Sequence, residues 1–413
     1  MSRFWLLIAS IAAAAALAVA GCGDDDDNGG GGAGGAPIKI GVMNPFSGNF
    51  ALYGEEVTRG YELAIAEVNE NGGIDGRRVE LVRGDAMTAD QAITQAERLA
   101  TRENVDIFTG TYISAVSNSA SDVAARHGKL YWETNALANE LTDRNLDNFL
   151  RVGPTANDFA DVSAAAMEAV AETLGKDISE LRIFIEHEDS IYGTSVAERQ
   201  AELLREAGAQ VVGVNAHAAA ATDVTDSVLR ARRARPDVWL LTGYVPDTNL
   251  LLRTARSQGF RPAATMLTGT GDTQETLEAI GAERLAGTLV TAYPGPDISE
   301  DYGPGSDDYL EAYRERYGSD PRAPQSMTAY AGMKVLLQAL EEAGSTDPAA
   351  VREAVMSMDE PEGTLPTGYG VKFDEKGQNT RAKPVVVQWR AGGEKVTVFP
   401  EAAAGGESIE LSR

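Results

Sequence analysis

The sequence predicts an α/β fold: two Rossmann-like lobes with parallel sheets flanked by helices. Two observations carry this. Short apolar or β-branched runs alternate with stretches of helical period in the order strand, loop, helix, which implies a parallel sheet covered by helices on both faces. The succession then starts again beyond residue 180, and the roughly 375 residues that follow the N-terminal region suggest two domains or more.

In the first lobe, Ile38-Lys39-Ile40-Gly41-Val42 alternates as a strand does. After a turn-rich stretch from Asn44 to Gly54, a helical face appears at Val57, Tyr61, Ala64, Ile65 and Val68, stopped by Asn71-Gly72-Gly73. Val79 to Val82 reads as the second strand. Thr88-Ala89-Asp90-Gln91 has the pattern of a capping box and opens a helix with Ala92, Ile93, Ala96, Leu99 and Ala100 on one side. Val105 to Phe108 is the third strand, followed by the loop Thr109 to Ser114, a helix through Arg126, the stop at Gly128 and a fourth strand from Leu130 to Trp132.

The second lobe repeats the order. Leu181 to Ile185, Val211 to Val214, Val238 to Leu241 and Thr265 to Leu267 read as strands. The helices between them run from Ser195 to Ala207, from Thr222 to Ala234 and from Thr248 to Gln258, the first and last closed by Gly208 and Gly259. The third units of the halves are alike: Asp106-Ile107-Phe108-Thr109-Gly110 with Tyr112, and Asp237-Val238-Trp239-Leu240-Leu241-Thr242-Gly243 with Tyr244.

Residues 1–36 are of another kind. Arg3 precedes an apolar run from Trp5 to Val19, too short for a comfortable transmembrane helix but suited to the core of a secretory signal. Val19-Ala20-Gly21-Cys22 resembles the lipobox of bacterial lipoproteins, and Cys22 is the only cysteine. The resemblance implies a signal peptide over 1–21, acylated Cys22 as the mature N-terminus and anchorage outside the cytoplasm. Residues 22–36, rich in Gly and Asp, have too little apolar surface to order and are expected to form a flexible tether.

Composition narrows the chemistry. With 62 acidic and 36 basic residues the formal charge is −26, which argues against nucleic acid and against anionic lipid as partners. Without a second cysteine, the chain has no internal disulfide and no thiolate metal site. His127, His187 and His217 lie far apart, none with a metal-ligand partner at helical spacing, and His187 among Glu186, Glu188 and Asp189 reads as a charged loop. Gly269-Thr270-Gly271 lacks the third glycine of a dinucleotide fingerprint, and no GK[ST] loop occurs. No catalytic constellation, cofactor site or metal site is expected.

Open α/β sheets bind ligands beyond the carboxyl ends of their strands. The loops there carry Tyr53, then Tyr112 and Ser114, then Glu133 and Asn135 in the first lobe, and His187 to Tyr192, Tyr244 and Asp272 in the second. Ser114 begins a helix whose unpaired N–H groups suit a carboxylate.

Several stretches resemble the type I periplasmic solute-binding proteins of ABC transporters, close to the leucine/isoleucine/valine-binding branch. They are PFSGNFALYGEEVTRGYELAIAEVNENGGIDGRRVELV, GTYISAVSNSASDVA, HEDSIYGTS, LLTGYVPDTNLLLRTARSQGF and FDEKGQ. The resemblance implies two lobes joined by three hinge crossings, at Gly153-Pro154, at Leu285 to Tyr293 and at Ser357 to Glu362. The first lobe then comprises 37–154 plus 287–358 and the second 155–286 plus 359–413. The implied protein is a monomer that captures a small solute and delivers it to a permease and its ATPase. The same resemblance implies pocket roles for Tyr53 and Tyr112, a carboxylate contact for Ser114, backbone contacts for Asn135 and Ala136, and aromatic closure by Tyr192 and Tyr244.

Two departures from the family pattern stand out. Leu137 replaces a threonine that helps hold the carboxylate, and a glycine in the loop Thr268 to Thr273 stands where an acidic partner for an ammonium is expected. Asp272 is displaced from that position, and Glu133 offers another anion. An α-amino acid, another small carboxylate, an aromatic acid, an amide or a urea-like solute are all compatible. A ligand-sensing receptor is the alternative within binding proteins; an anchored hydrolase would need a nucleophile and base that the sequence does not offer.

Overall fold

The computed structural model describes residues 35–411. Cys22, the leader and residues 23–34 of the tether lie outside the described residues.

The first sheet is parallel, with strands β1 (Ile38–Asn44), β2 (Val79–Asp85), β3 (Ile107–Thr109), β4 (Leu130–Glu133) and β5 (Phe149–Arg151) in the order β2-β1-β3-β4-β5. Helices α1 (Ala51–Glu70), α2 (Ala89–Thr101), α3 (Ser114–Arg126) and the short α4 (Glu140–Asp143) connect them. β3 and β4 are buried throughout, as continuous apolar runs covered on both faces should be. Thr88 caps α2 by accepting from Gln91 N at 3.3 Å, but Gln91 Oε1 accepts from Met87 N, so the capping box closes one residue early.

α5 (Ala156–Thr173) opens the second lobe behind a complete capping box of Thr155 and Asp158. Its sheet contains β6 (Arg182–Glu188), β7 (Gln210–His217), β8 (Val238–Thr242), β9 (Ala264–Thr268), β10 (Leu289–Ala292), β11 (Val385–Trp389) and β12 (Lys395–Phe399), in the order β12-β11-β10-β9-β8-β6-β7. β6 to β10 run parallel; β11 and β12 add an antiparallel edge. The helices are α6 (Ile191–Glu206), α7 (Thr225–Ala234), α8 (Val245–Ser257), α9 (Gln274–Ile280) and the one-turn α10 (Ala282–Leu285). α6 and α8 begin earlier than expected, because Ser190 accepts from Tyr192 N and because Pro246 suits a first turn.

The chain then returns to the first lobe as α11 (Ser306–Tyr317), α12 (Gln325–Ala343) and α13 (Pro348–Ser357), and it ends after β12 with α14 (Glu401–Ala404). α12 packs along α1, and Gly60 permits the approach: a Cβ there would lie 2.1 Å from Ser326 O.

Two lobe boundaries differ from expectation. Leu289–Ala292, expected in the first lobe, is the buried strand between β9 and β11, so the return follows Ala292. Residues 359–381, expected in the second lobe, stay with the first: Gly377 O accepts from Arg151 N at 2.8 Å, and Asn379 N donates to Arg151 O at 2.9 Å. The turn Phe373 to Gln378 thus extends the β5 edge, and the last crossing falls just before β11. Among the described residues no helix is long and apolar enough to cross a membrane.

Candidate ligand-binding cleft

The carboxyl ends of the strands of both sheets meet at one small cavity. Tyr112, Ser114, Asn135 and Leu137 line it from the first lobe, Tyr192, Tyr244 and Gly269 from the second, and Tyr293 from the crossing just past β10. About 10 Å³ is open to the centre of a water-sized sphere, room for about one water. The rings account for this closeness. Tyr244 lies 5.8 Å from Tyr112 and 5.3 Å from Tyr192, while Phe50 meets Tyr244 edge-on at 5.2 Å. Tyr53 stacks behind Tyr112 at 4.2 Å with the planes 5° apart.

The two departures seen in the sequence both face this cavity. Gly269 adopts φ +74°, and a Cβ there would lie 2.3 Å from the Tyr192 hydroxyl. That hydroxyl donates to Thr268 O at 2.7 Å. The glycine is therefore the space into which Tyr192 closes. Leu137 adds an apolar wall.

Ser114 is the first residue of α3, and the preceding Ile113 provides no side-chain cap. The first N–H groups of a helix have no partner within it. Ser114 Oγ accepts from Ala138 N at 3.2 Å, tying the two loops of the first lobe together.

A larger groove of about 260 Å³, lined in part by Trp239, Phe260, Arg256 and Arg284, lies at the amino ends of β8, β9 and β10. No residue singled out from the sequence as a site residue lies in it, and the strand ends that bind ligands in such sheets are the opposite ones.

The periplasmic binding protein family matches residues 37–394. A Leu/Ile/Val-binding protein homolog 7 of Brucella suis is 40% identical over 371 residues, 89% of this chain and 93% of its own. The chain belongs to the periplasmic binding protein family. Among solved structures, a leucine-binding protein from Thermotoga maritima gives a TM-score of 0.76 at 24% identity, over 87% of this chain and 97% of that one. A solute-binding protein from R. palustris in complex with 4-hydroxybenzoate gives 0.75 at 21% identity, over 91% and 97%. The family places this periplasmic binding protein outside the cytoplasm, as a solute-binding component of a transporter and not an enzyme.

Four residues expected in the pocket of this periplasmic binding protein do not line the cavity. Glu133 is fully buried and its oxygens accept from Thr111 N, Ser117 Oγ, Thr134 N, Asn135 N and Ala136 N, five donors at 2.5 to 2.9 Å. Burial pushes its carboxyl above the usual range and these donors pull it back. Glu133 is thus a clasp between the β3 and β4 loops, with no oxygen left for a ligand ammonium. It also consumes the N–H groups of Asn135 and Ala136, while Asn135 O accepts from the Tyr293 hydroxyl and Ala136 O from Arg151. Asp272 is buried, with neither oxygen hydrogen-bonded, 4.0 Å from Lys395 Nζ; burial pushes its carboxyl up. Tyr53 is buried behind the first ring.

Sequence reasoning missed Tyr293 as a pocket residue. It lies just past β10, in the stretch read as a hinge crossing; its signal was an aromatic after a strand, the same one that marks Tyr112 and Tyr244.

Proposed function

We propose that this periplasmic binding protein captures a small monocarboxylate that lacks an ammonium group and hands it to an ABC importer. One observation carries the reading: none of the residues that line the cavity is charged. The carboxylate would meet the uncapped mouth of α3 at Ser114, where helix N–H groups and the dipole favour an anion. The body of the solute would lie against Tyr112, Tyr192, Tyr244 and Leu137. Ionised ammonium without a facing anion is costly to bury, and Glu133 has no free lone pair to offer one. A solute of leucine's size exceeds the closed cavity, so binding requires the lobes to part and close again over it, which is how tyrosines from both sides report occupancy.

Calorimetry with leucine and with 4-methylpentanoate, which is leucine without its ammonium, tests the class. We expect the deaminated acid to bind at least as tightly. Leucine binding tenfold tighter would overturn the reading and direct attention to Asp272, whose unpartnered oxygens favour an α-amino acid. The proposal includes a lipid anchor at Cys22, supported by the small residues before it and by the single thiol. Cys22→Ala should release the protein from membranes with ligand affinity unchanged; a variant that still sediments with membranes removes the anchor.

A further inference from the structure

Three buried ionisable side chains of the second lobe stand behind the cleft. His217, at the end of β7, places Nδ1 2.9 Å from Glu186 Oε1 and Nε2 2.9 Å from Asp247 Oδ2. Ionised carboxylates only accept, so both ring nitrogens donate and the imidazole is a cation. The side chains of all three residues are at most 3% exposed. Glu186 is held from β6, and both its oxygens also accept from Asn215 Nδ2 at 3.0 Å. Asp247, in the first turn of α8, uses its other oxygen to accept from Tyr244 N at 2.9 Å. A continuous run of hydrogen bonds therefore leads from the edge of the second sheet to the residue whose ring meets Phe50 and Tyr112 across the cleft and Tyr192 on its own side.

We propose that His217 is a positioning residue for solute capture, its positive charge holding Asp247 and through it the start of α8, so that Tyr244 stays over the cavity. The importance of this for capture rests on the cleft reading above; the linkage itself does not. A neutral ring has one donor for two buried carboxylates, and an unpartnered buried anion is costly. Of the two, Glu186 is fixed by Asn215 and by strands on both sides, whereas Asp247 sits where a loop enters a helix. Asp247 is the group that yields, and the bond to Tyr244 N yields with it.

The ionisable groups around the ring are Glu186 and Glu188 from β6, Asp247 from α8 and, through Asn215 Oδ1 at 3.1 Å, Arg230 from α7. Burial alone would lower the imidazole, but the hydrogen bonds to Asp247 and Glu186 outweigh it and push it up to about 9. Among the described residues no group of three His, Cys, Asp or Glu side chains is arranged to hold a metal ion, this trio included.

The test needs no ligand. The full chain is labelled with 3-fluorotyrosine, the Tyr244 line is assigned from the spectrum of Tyr244→Phe, and the histidine rings are followed by ¹⁵N in the same pH series. The expected result is a Tyr244 line that moves with the His217 ring as pH rises, and that already stands at its high-pH position in His217→Gln at pH 7. A folded His217→Gln protein with lower Tm but an unmoved Tyr244 line would show a merely structural histidine and overturn the proposal. Should that variant not fold, the wild-type titration decides: a Tyr244 line that stays put while His217 loses its proton overturns it equally. Should the wild-type ring hold its proton throughout, the variant decides. Failure of the cleft reading would show separately, as unchanged solute affinity in Tyr244→Ala.

Discussion

Two helix mouths open toward the cleft, and they are finished differently. In the first lobe α3 begins after Ile113 with no side-chain cap, and the nearby carboxylate, Glu133, is occupied by the β3 and β4 loops. In the second lobe α6 is closed by its own chain: Ser190 accepts from Tyr192 N, while Glu188 takes Ser190 N at 2.7 Å and Gly193 N at 2.7 Å. The first N–H groups of α6 go to side-chain acceptors, whereas α3 has no side-chain cap: Val116 N and Ser117 N turn back to Ile113 O, and Ser114 N faces the Tyr244 hydroxyl across the cleft. Architecture that repeats therefore need not repeat function. On the cleft reading proposed above, the lobes divide the labour, the first offering the polar contact and the second closing rings over it.

The lobes also differ in how they hold their cleft edge. The first uses an anion surrounded by neutral donors, the second a cation between two anions. The largest effect that separates them should come from Glu133→Ala, which leaves buried N–H groups of both loops without an acceptor. Loss of a buried hydrogen-bonded carboxylate costs on the order of 3 to 5 kcal/mol, and urea unfolding should show it; a loss below about 1 kcal/mol would mean water replaces the clasp. Next in size is a pH effect confined to the second lobe. The folded His217 stands near 9 against an unfolded value of about 6.5. Its contribution is fully present below that unfolded value and is lost as pH rises through the folded one. Stability should thus fall by on the order of 1 to 3 kcal/mol between pH 6.5 and 9.5, and His217→Gln should remove this slope. An identical slope in the variant would assign it elsewhere.

Comparable in size is the contribution of ring closure to binding. Tyr244→Ala should weaken solute binding by roughly 1 to 3 kcal/mol, read by calorimetry, with the first lobe unaffected.

The alternation of strand and helix, and the loops that follow the strands, were legible because each depends on neighbours in sequence. That is why Tyr112, Ser114, Asn135, Tyr192 and Tyr244 were found together. α12 escaped because it is buried nearly all round, with 14 of its 19 residues buried, and so has no polar face to set a period. β11 and β12 carried a readable signal, VVVQW and KVTVF around Gly392-Gly393, that of a hairpin. The lobe boundaries were misplaced because a four-residue apolar run such as Leu289–Ala292 does not reveal which sheet it joins; only its pairing with β9 and β11 does. Glu133 looked available for the same reason. A carboxylate's freedom depends on how many donors surround it, and those donors come from residues 111 to 136.

The finest test of the unequal mouths compares two serines. Ser190→Ala removes a cap from α6 and should cost about 1 kcal/mol of stability, with a smaller change in solute affinity than Ser114→Ala, because the Ser190 hydroxyl serves Tyr192 N, Glu188 and the Tyr244 hydroxyl and does not itself line the cavity. Ser114→Ala removes a hydroxyl from an uncapped mouth that lines the cavity; the helix loses no cap, but Ala138 N loses its acceptor, so stability should fall by about 1 kcal/mol or more. A second cost should appear in affinity, about 1.5 kcal/mol or more if the hydroxyl meets a carboxylate. Melting curves and calorimetry on the two proteins give four numbers, and the division of labour requires that affinity falls in Ser114→Ala alone. If both serines cost only stability, α3 is an ordinary helix start and the anion must be held elsewhere.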